Sequence, residues 1–278
     1  MLFSEPRPRV AALWVYPVKS LGGVRVAAAA VGPLGLDGDR RWMLVDAGGR
    51  AVTQRELPGM ARLAVAPAPG GVAVTAPGGD RLCLTPAAPG APRRPVRLFD
   101  DVVEAAACDP AADRWFATRL GAAVRAVYLP DDVVRPVDPR YAAPGDRAAF
   151  SDGYPVLVAG AASLADLNAR LAARGAAPVG MERFRPNVVV AGAPPYAEDG
   201  WRALEANGVA LALVKPCARC VITTVDPARG AAAGPEPLRT LAEYRRQGAK
   251  VLFAQNAVVR AGGTLREGDP VRATASGA

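Results

Sequence analysis

The chain of 278 residues contains no histidine. That absence removes every Ser-His-Asp and Cys-His catalytic scheme, every HExxH metal site and every histidine-ligated haem. Acid–base work falls to carboxylates, Lys, Tyr, Cys or a cofactor, and a metal has to be held by Cys, Asp, Glu, backbone or a cofactor's own atoms. Lysine is almost missing too, occurring only at 19, 215 and 250, so the formal charge of +8 is carried by arginine. No dense basic run interleaved with aromatics is present, which argues against nucleic acid as a partner. Four cysteines, at 83, 108, 217 and 220, are too few and too scattered for a secreted disulfide lattice in a chain of this length. No apolar run is long enough to span a bilayer, and MLFSEPRPRV at the N-terminus has no signal-peptide core. A soluble cytoplasmic protein with reduced thiols is expected, with no membrane contact.

What is present is a succession of short apolar or β-branched runs. VAALWVYPV (10–18), GVRVAAAAV (23–31) and RRWMLVD (40–46) read as strands, with Gly-Gly pairs at 48–49, 70–71 and 78–79 punctuating those that follow. A helix follows Asp109 as cap and stops at Gly121; a second is expected over 163–175 with Ser163 as cap and Gly175 as stop. The Pro-, Asp- and Gly-rich stretch 130–155 reads as a crossing between domains. FRPNVVVAG (184–192), VALALVKP (209–216), VITTVD (221–226), VLFAQNAVV (251–259) and TLREGDPVRA (264–273) are strand-like, and 237–248 is a short helix. The expected class is α+β, predominantly β, with two barrel-like domains of short strands (1–130 and 131–278) and a few peripheral helices.

KPCARCVITTVDP (215–227) carries the most pointed chemistry. A Cys-x-x-Cys pair can be half a zinc site, a redox pair, part of an iron–sulfur site, or two unrelated thiols. Thioredoxin-like chemistry needs a helix to open at the pair, whereas the β-branched run after Cys220 prefers a strand. A four-thiolate cluster would have to recruit the distant Cys83 and Cys108. Pro216 is expected to end the preceding strand, leaving the cysteines at a barrel rim. Arg219 beside Cys220, and Lys215 five residues away, favour thiolate, the form that binds a soft or borderline metal.

CARCVITTVDPARG (217–230) closely resembles the signature of MOSC-domain proteins. VYPVKSLGGVRV (15–26) with GLDGDRRWMLVD (35–46) is similar to the β-barrel domain that precedes it in that family. FSDGYPVLVAGAASLADLN (150–168), RFRPNVVVAG (183–192), WRALEANGVALALVKPCARC (201–220), FAQNAVV (253–259) and GDPVRA (268–273) extend the likeness in order. Within the family the pattern is most similar to the mitochondrial amidoxime-reducing component and its bacterial counterparts.

The resemblance implies an oxidoreductase that binds the molybdenum cofactor and reduces N-hydroxylated compounds by oxygen-atom transfer to the metal. It implies Cys220 as metal ligand and catalytic residue, with Cys217 a bystander. Lys19, Ser20, Arg40, Arg185, Asn187, Arg219 and Asn256 are implied as further cofactor contacts. The alternative it implies is a non-catalytic cofactor carrier or a sulfurase-related binding module. A weaker association of the family is with pyridoxal phosphate, where Lys19 or Lys215 would form the Schiff base; nothing local demands it. Where the reductases carry a Thr-Ser pair after the SD of FSDGYP, this chain has Gly153-Tyr154, so backbone amides or Tyr154 would take over. No membrane anchor and no C-terminal ferredoxin-like domain is expected, so electrons would come from a separate ferredoxin-, flavin- or cytochrome-type protein.

Overall fold

The computed structural model describes residues 7–275. Strands dominate and three α-helices, Pro110–Leu120, Ala161–Ala173 and Leu238–Tyr244, lie among them, in agreement with a predominantly β α+β class. The largest sheet runs in space from Val24–Val26 through Arg9–Val15, Val188–Ala191, Val156–Gly160, Lys250–Ala261, Val209–Arg219 and Trp201–Ala206 to Arg272–Ala275. Its one parallel neighbour pair on that path, Val156–Gly160 with Val188–Ala191, is joined through helix Ala161–Ala173, the crossover a parallel connection requires. A five-stranded sheet is built from Arg93–Leu98, Asp101–Ala107, Arg125–Tyr128, Trp42–Val45 and Ala51–Val52. Pairing crosses residue 130: Arg9–Val15 pairs with Val188–Ala191, and Ala28–Gly32 with Gly263–Arg266. A division at 130/131 remains our proposal for the folding units.

The Val209–Arg219 strand shows why these residues pair as they do. Val209, Leu211 and Leu213 are buried and their neighbours are not, the period-two pattern of a strand with one face on the core. Contrary to the sequence expectation, the strand does not stop at Pro216. It runs to Arg219 against Lys250–Ala261, with register shifts between Leu213 and Lys215 and between Pro216 and Ala218. Such bulges accept a residue without an N–H and re-aim the side chains that follow.

Two further expectations are corrected. Residues 221–226 do not form one strand: Val221–Thr224 is a 3-10 turn, with a short strand at Val225–Asp226. Thr223 Oγ1 donates to the Cys220 carbonyl at 3.0 Å and Thr224 Oγ1 to that of Val221 at 2.7 Å, so side-chain-to-backbone bonds override β propensity. Helix 161–173 begins at Gly160 rather than Ser163. Ser163 lies inside the helix and donates to Glu198, which is 1 % exposed and also accepts from the Gly160 amide at 2.9 Å. By contrast Asp109 caps its helix as expected, accepting from the Ala111 amide at 2.7 Å, and Gly121 closes it in the left-handed conformation.

Glu198 supplies a pH-dependent signature. Burial pushes its carboxyl above the ordinary value of 4.5, against the pull of Ser163 and nearby amides. A carboxyl whose folded value is raised stabilises the fold at low pH, and that contribution fades as pH rises from 4.5 through the folded value. Glu198→Gln should therefore gain stability relative to wild type as pH is raised past 4.5. Urea midpoints for both proteins across that range check it; a constant difference would refute it.

The stretch between Tyr128 and Val156 carries no helix or named strand. It is pinned by Arg135, 4 % exposed, which donates to the carbonyls of Ala149 and Ser151 and through Nε to Asp101. That single buried guanidinium fixes where Ser151 and Asp152 lie. No helix among the described residues is long and apolar enough to cross a membrane.

Candidate functional site

All eight residues singled out in the sequence, Lys19, Ser20, Arg40, Arg185, Asn187, Arg219, Cys220 and Asn256, line one cleft. Five chain segments bring them there: the turn after Tyr16, the turn before Trp42–Val45, the stretch before Val188–Ala191, the end of Val209–Arg219, and the middle of Lys250–Ala261. Arg55, Asp152, Gly153, Tyr154 and Cys217 line the same cleft.

The cationic side chains are held by networks reaching well beyond their own segments. Lys19, 5 % exposed, donates to the Phe150 carbonyl at 2.9 Å and to Asp152 at 2.5 Å. Burial pushes its ammonium below the ordinary value, against the opposing pull of Asp152. Arg40 Nη1 is gripped by the buried Asp39 carboxylate at 2.6 Å, and Nη2 donates to the Arg185 carbonyl at 3.1 Å. Asp39 is itself fixed by the Tyr16 amide at 2.8 Å. The guanidinium groups of Arg40 and Arg185 both lie over the Tyr16 ring, at 4.4 and 4.3 Å from its centre. Burial, with Arg40 adding to the push, brings Arg185 down to about 10, a value that leaves it charged at neutral pH. Asn187 is spent within the protein: its amide oxygen accepts from Leu157 N and Arg40 Nη1, and its Nδ2 donates to the Trp14 carbonyl. It braces Arg40 rather than presenting a free group. Asn256 Nδ2 reaches the Pro216 carbonyl at 3.5 Å.

The two thiols have different neighbours from those expected. Arg219 Nη1 donates to Cys217 Sγ at 2.9 Å, and its Nη2 to the Phe184 carbonyl. The cation beside Cys220 is instead Arg55, whose Nη2 lies 3.5 Å from Cys220 Sγ. Lys215 stands over the rings of Tyr141 and Tyr154, at 4.4 and 5.8 Å. Cys217 sits inside the strand and packs against the apolar cluster around Leu167, Phe184 and Phe253. Cys220 lies one residue past the strand, half-buried, with extended backbone. Among the described residues no cluster of three or more Cys, Asp or Glu side chains could hold a metal ion.

Two features of the cleft are costly for the protein alone. Seven buried side-chain polar atoms lack a hydrogen-bond partner among the described residues, and four of them belong to residues that line this cleft: Ser151 Oγ, Tyr154 Oη, Arg185 Nη2 and Arg219 Nε. Each costs roughly 1–3 kcal/mol if left unpaired. Ser20, Arg40 and Arg185 also carry left-handed backbone, with φ of 68°, 48° and 54°, at roughly 1–2 kcal/mol each for a non-glycine residue. Orphaned guanidinium, hydroxyl and phenol donors beside a half-exposed thiol fit a metal carried on an anionic, phosphate-bearing organic cofactor. Burial pushes the Tyr154 phenol up to about 12, so it stays a proton donor at neutral pH.

Arg55, Asp39, Tyr16 and Arg135 were not singled out from the sequence. Asp39 lies within GLDGDRRW and Tyr16 within VYPVKS, stretches that already carry the family likeness. Arg55 and Arg135 sit in stretches with no local pattern, and their partners are distant in the chain.

Comparison with known proteins matches residues 7–123 to the MOSC N-terminal beta barrel domain and residues 145–272 to the MOSC domain. Mitochondrial amidoxime-reducing component 1 of Homo sapiens is 35 % identical over 94 % of this chain and 82 % of its own length. Component 2 of Homo sapiens is 33 % identical over the same shares, and component 1 of Danio rerio is 31 % identical over 94 % and 83 %. The chain belongs to the MOSC family, with the N-terminal barrel domain preceding the MOSC domain.

Proposed function

We propose that this protein binds the molybdenum cofactor in the cleft and reduces N-hydroxylated compounds there, with Cys220 as the thiolate ligand of the metal. The observation that carries the reading is the convergence of residues 19 to 256 on one cleft whose buried donors lack protein partners. When bound, the cofactor supplies the redox-active metal that takes the oxygen of an N–O bond. The chain's own residues bind and orient. Arg185 Nη2 and Arg219 Nε, with Lys19 and Arg40 beside them, would hold the cofactor's anionic groups. Asp39 and Asn187 keep the Arg40 fork aimed, and Arg135 keeps Ser151 and Asp152 in place. Tyr154 would line the organic part of the cofactor. Lys19, with its amine committed to Asp152 and Phe150, suits an anion anchor better than a Schiff-base nucleophile.

The relatives' name supports an N-hydroxylated amidine as substrate class, and the reading carries a separate electron-donor protein and the cytoplasmic placement expected from free thiols. The test is metal and pterin analysis of protein from a molybdopterin-competent host, followed by turnover of an N-hydroxylated amidine with a generic reductant. About one molybdenum per chain with sustained reduction is expected. Full metal content without turnover would leave a cofactor carrier, and no metal or pterin would overturn the proposal.

A further inference from the structure

Phe99 is placed where a phenylalanine costs the fold. It is the first of two residues joining the paired strands Arg93–Leu98 and Asp101–Ala107, and its φ is 56°. A two-residue hairpin with positive φ at its first central position favours glycine, and a bulky side chain there is strained by roughly 1–2 kcal/mol. The side chain does not repay this by joining the core. It is 46 % exposed, whereas the preceding Leu98 is 1 % exposed and anchors the hairpin.

The ring instead faces the site. Lys19 Nζ is 5.6 Å from its centre and Arg55 Cζ is 5.4 Å. Arg55 is also the residue whose Nη2 lies 3.5 Å from Cys220 Sγ. Behind it is a hollow of ≈ 140 Å³ lined by Phe99, Arg50, Arg97 and Glu56, which shares Thr53 and Arg55 with the cleft. The hollow is open and three of its lining residues are arginines, so it offers a flat group guanidinium and ring faces. Exposed guanidinium faces and an aromatic ring both stack on flat π systems.

We infer that Phe99 and this hollow form the subsite for the organic remainder of the substrate, and that they select a planar aryl group. The inference rests on the reductase reading above. The reacting N–O group would lie in the cleft on the Cys220 side of Arg55, and the aryl ring on the Phe99 side. Phe99 is a specificity-determining residue here, not one that acts on the reacting bond. A strained, half-exposed aromatic at the edge of the cleft is the outlier from which ligand contact is inferred.

The experiment compares wild type and Phe99→Gly on benzamidoxime and acetamidoxime, with melting temperatures for both proteins. Binding is also measured by ligand-observed NMR on oxidised protein without an electron donor. Phe99→Gly should lower the aryl-to-methyl ratio of kcat/KM roughly threefold to tenfold, the range expected for a lost aromatic contact. It should weaken benzamidoxime binding by a similar factor, weaken acetamidoxime binding less, and leave the melting temperature equal or higher, with both proteins compared at equal cofactor content. An unchanged ratio and unchanged benzamidoxime binding, with wild type active on both, would overturn the subsite alone. A lowered melting temperature with an unchanged ratio would assign Phe99 to the fold. Wild type that holds cofactor yet reduces neither compound would overturn the reductase reading and the subsite with it.

Discussion

Cys220→Ala is expected to fold as wild type and to retain no molybdenum, while Cys217→Ala retains it. The contrast follows from where each sulfur sits. Cys220 has extended backbone, φ −127° and ψ −178°, which alanine adopts without strain. Its sulfur lies 3.5 Å from Arg55 Nη2 and belongs to no core cluster, so its removal takes no packed atom from the core. The change in stability should stay within roughly 0.5 kcal/mol. Turnover should fall at least about 100-fold, since even supporting residues of metal sites cost about 10–100-fold. Cys217 presents the opposite balance. Its sulfur accepts a charge-assisted bond from Arg219 and packs against the Leu167–Phe184–Phe253 cluster. Cys217→Ala should lower stability by roughly 1 kcal/mol and loosen Arg219, with metal kept. Metal content by elemental analysis, beside a urea melt of each variant, separates the two thiols. A Cys220→Ala protein holding as much molybdenum as wild type would remove Cys220 as the ligand.

How much of this could be read from the sequence depends on how local the determining physics is. Period-two burial and helix-end chemistry are local. The predominantly β class, the Asp109 cap and the Gly121 stop were therefore legible. The run 221–226 failed because two threonine hydroxyls bond back three residues and curl a β-branched segment into a turn. Pro216 failed as a strand end because its partner strand Lys250–Ala261 carries pairing past it through bulges. The participation of Arg9–Val15 in the same sheet as the C-terminal strands is set by long-range pairing, which no local pattern records.

The site divides in the same way. Lys19, Arg40, Arg185 and Cys220 stand in motifs and were legible as candidates. Arg55 was not, because its relation to Cys220 spans 165 residues. Arg219 was paired with the wrong sulfur for a geometric reason. In a strand, residues two apart share a face, so Arg219 turns towards Cys217 rather than to its chain neighbour Cys220.

Arg185→Met is expected to lose the cofactor without losing stability, a combination that distinguishes a binding residue from a structural one. Arg185 carries three costs in the protein alone: a left-handed backbone, a like charge on Arg40 beside it, and a buried Nη2 with no partner. Against these stand one bond to the Leu21 carbonyl at 2.6 Å and contact with the Tyr16 ring. Methionine keeps apolar contact with the ring and removes a guanidinium whose burial and repulsion by Arg40 outweigh the pull of Asp39 and Asp152, at the cost of the Leu21 bond. The melting temperature of cofactor-free protein should thus be unchanged or higher, by up to about 2–4 °C per kcal/mol gained. Cofactor content should fall at least roughly tenfold, the scale of one lost charge-assisted bond of about 1.5–3 kcal/mol. Arg185→Lys should not restore it, because a single ammonium cannot bond Leu21 and also present a second, fixed donor to the ligand. The measurements are pterin content after expression and thermal melting of protein stripped of cofactor. A large fall in melting temperature together with normal pterin content would make Arg185 a structural brace. Retained stability with lost cofactor would mean that the strain and orphaned donors of this cleft are held for the ligand's sake.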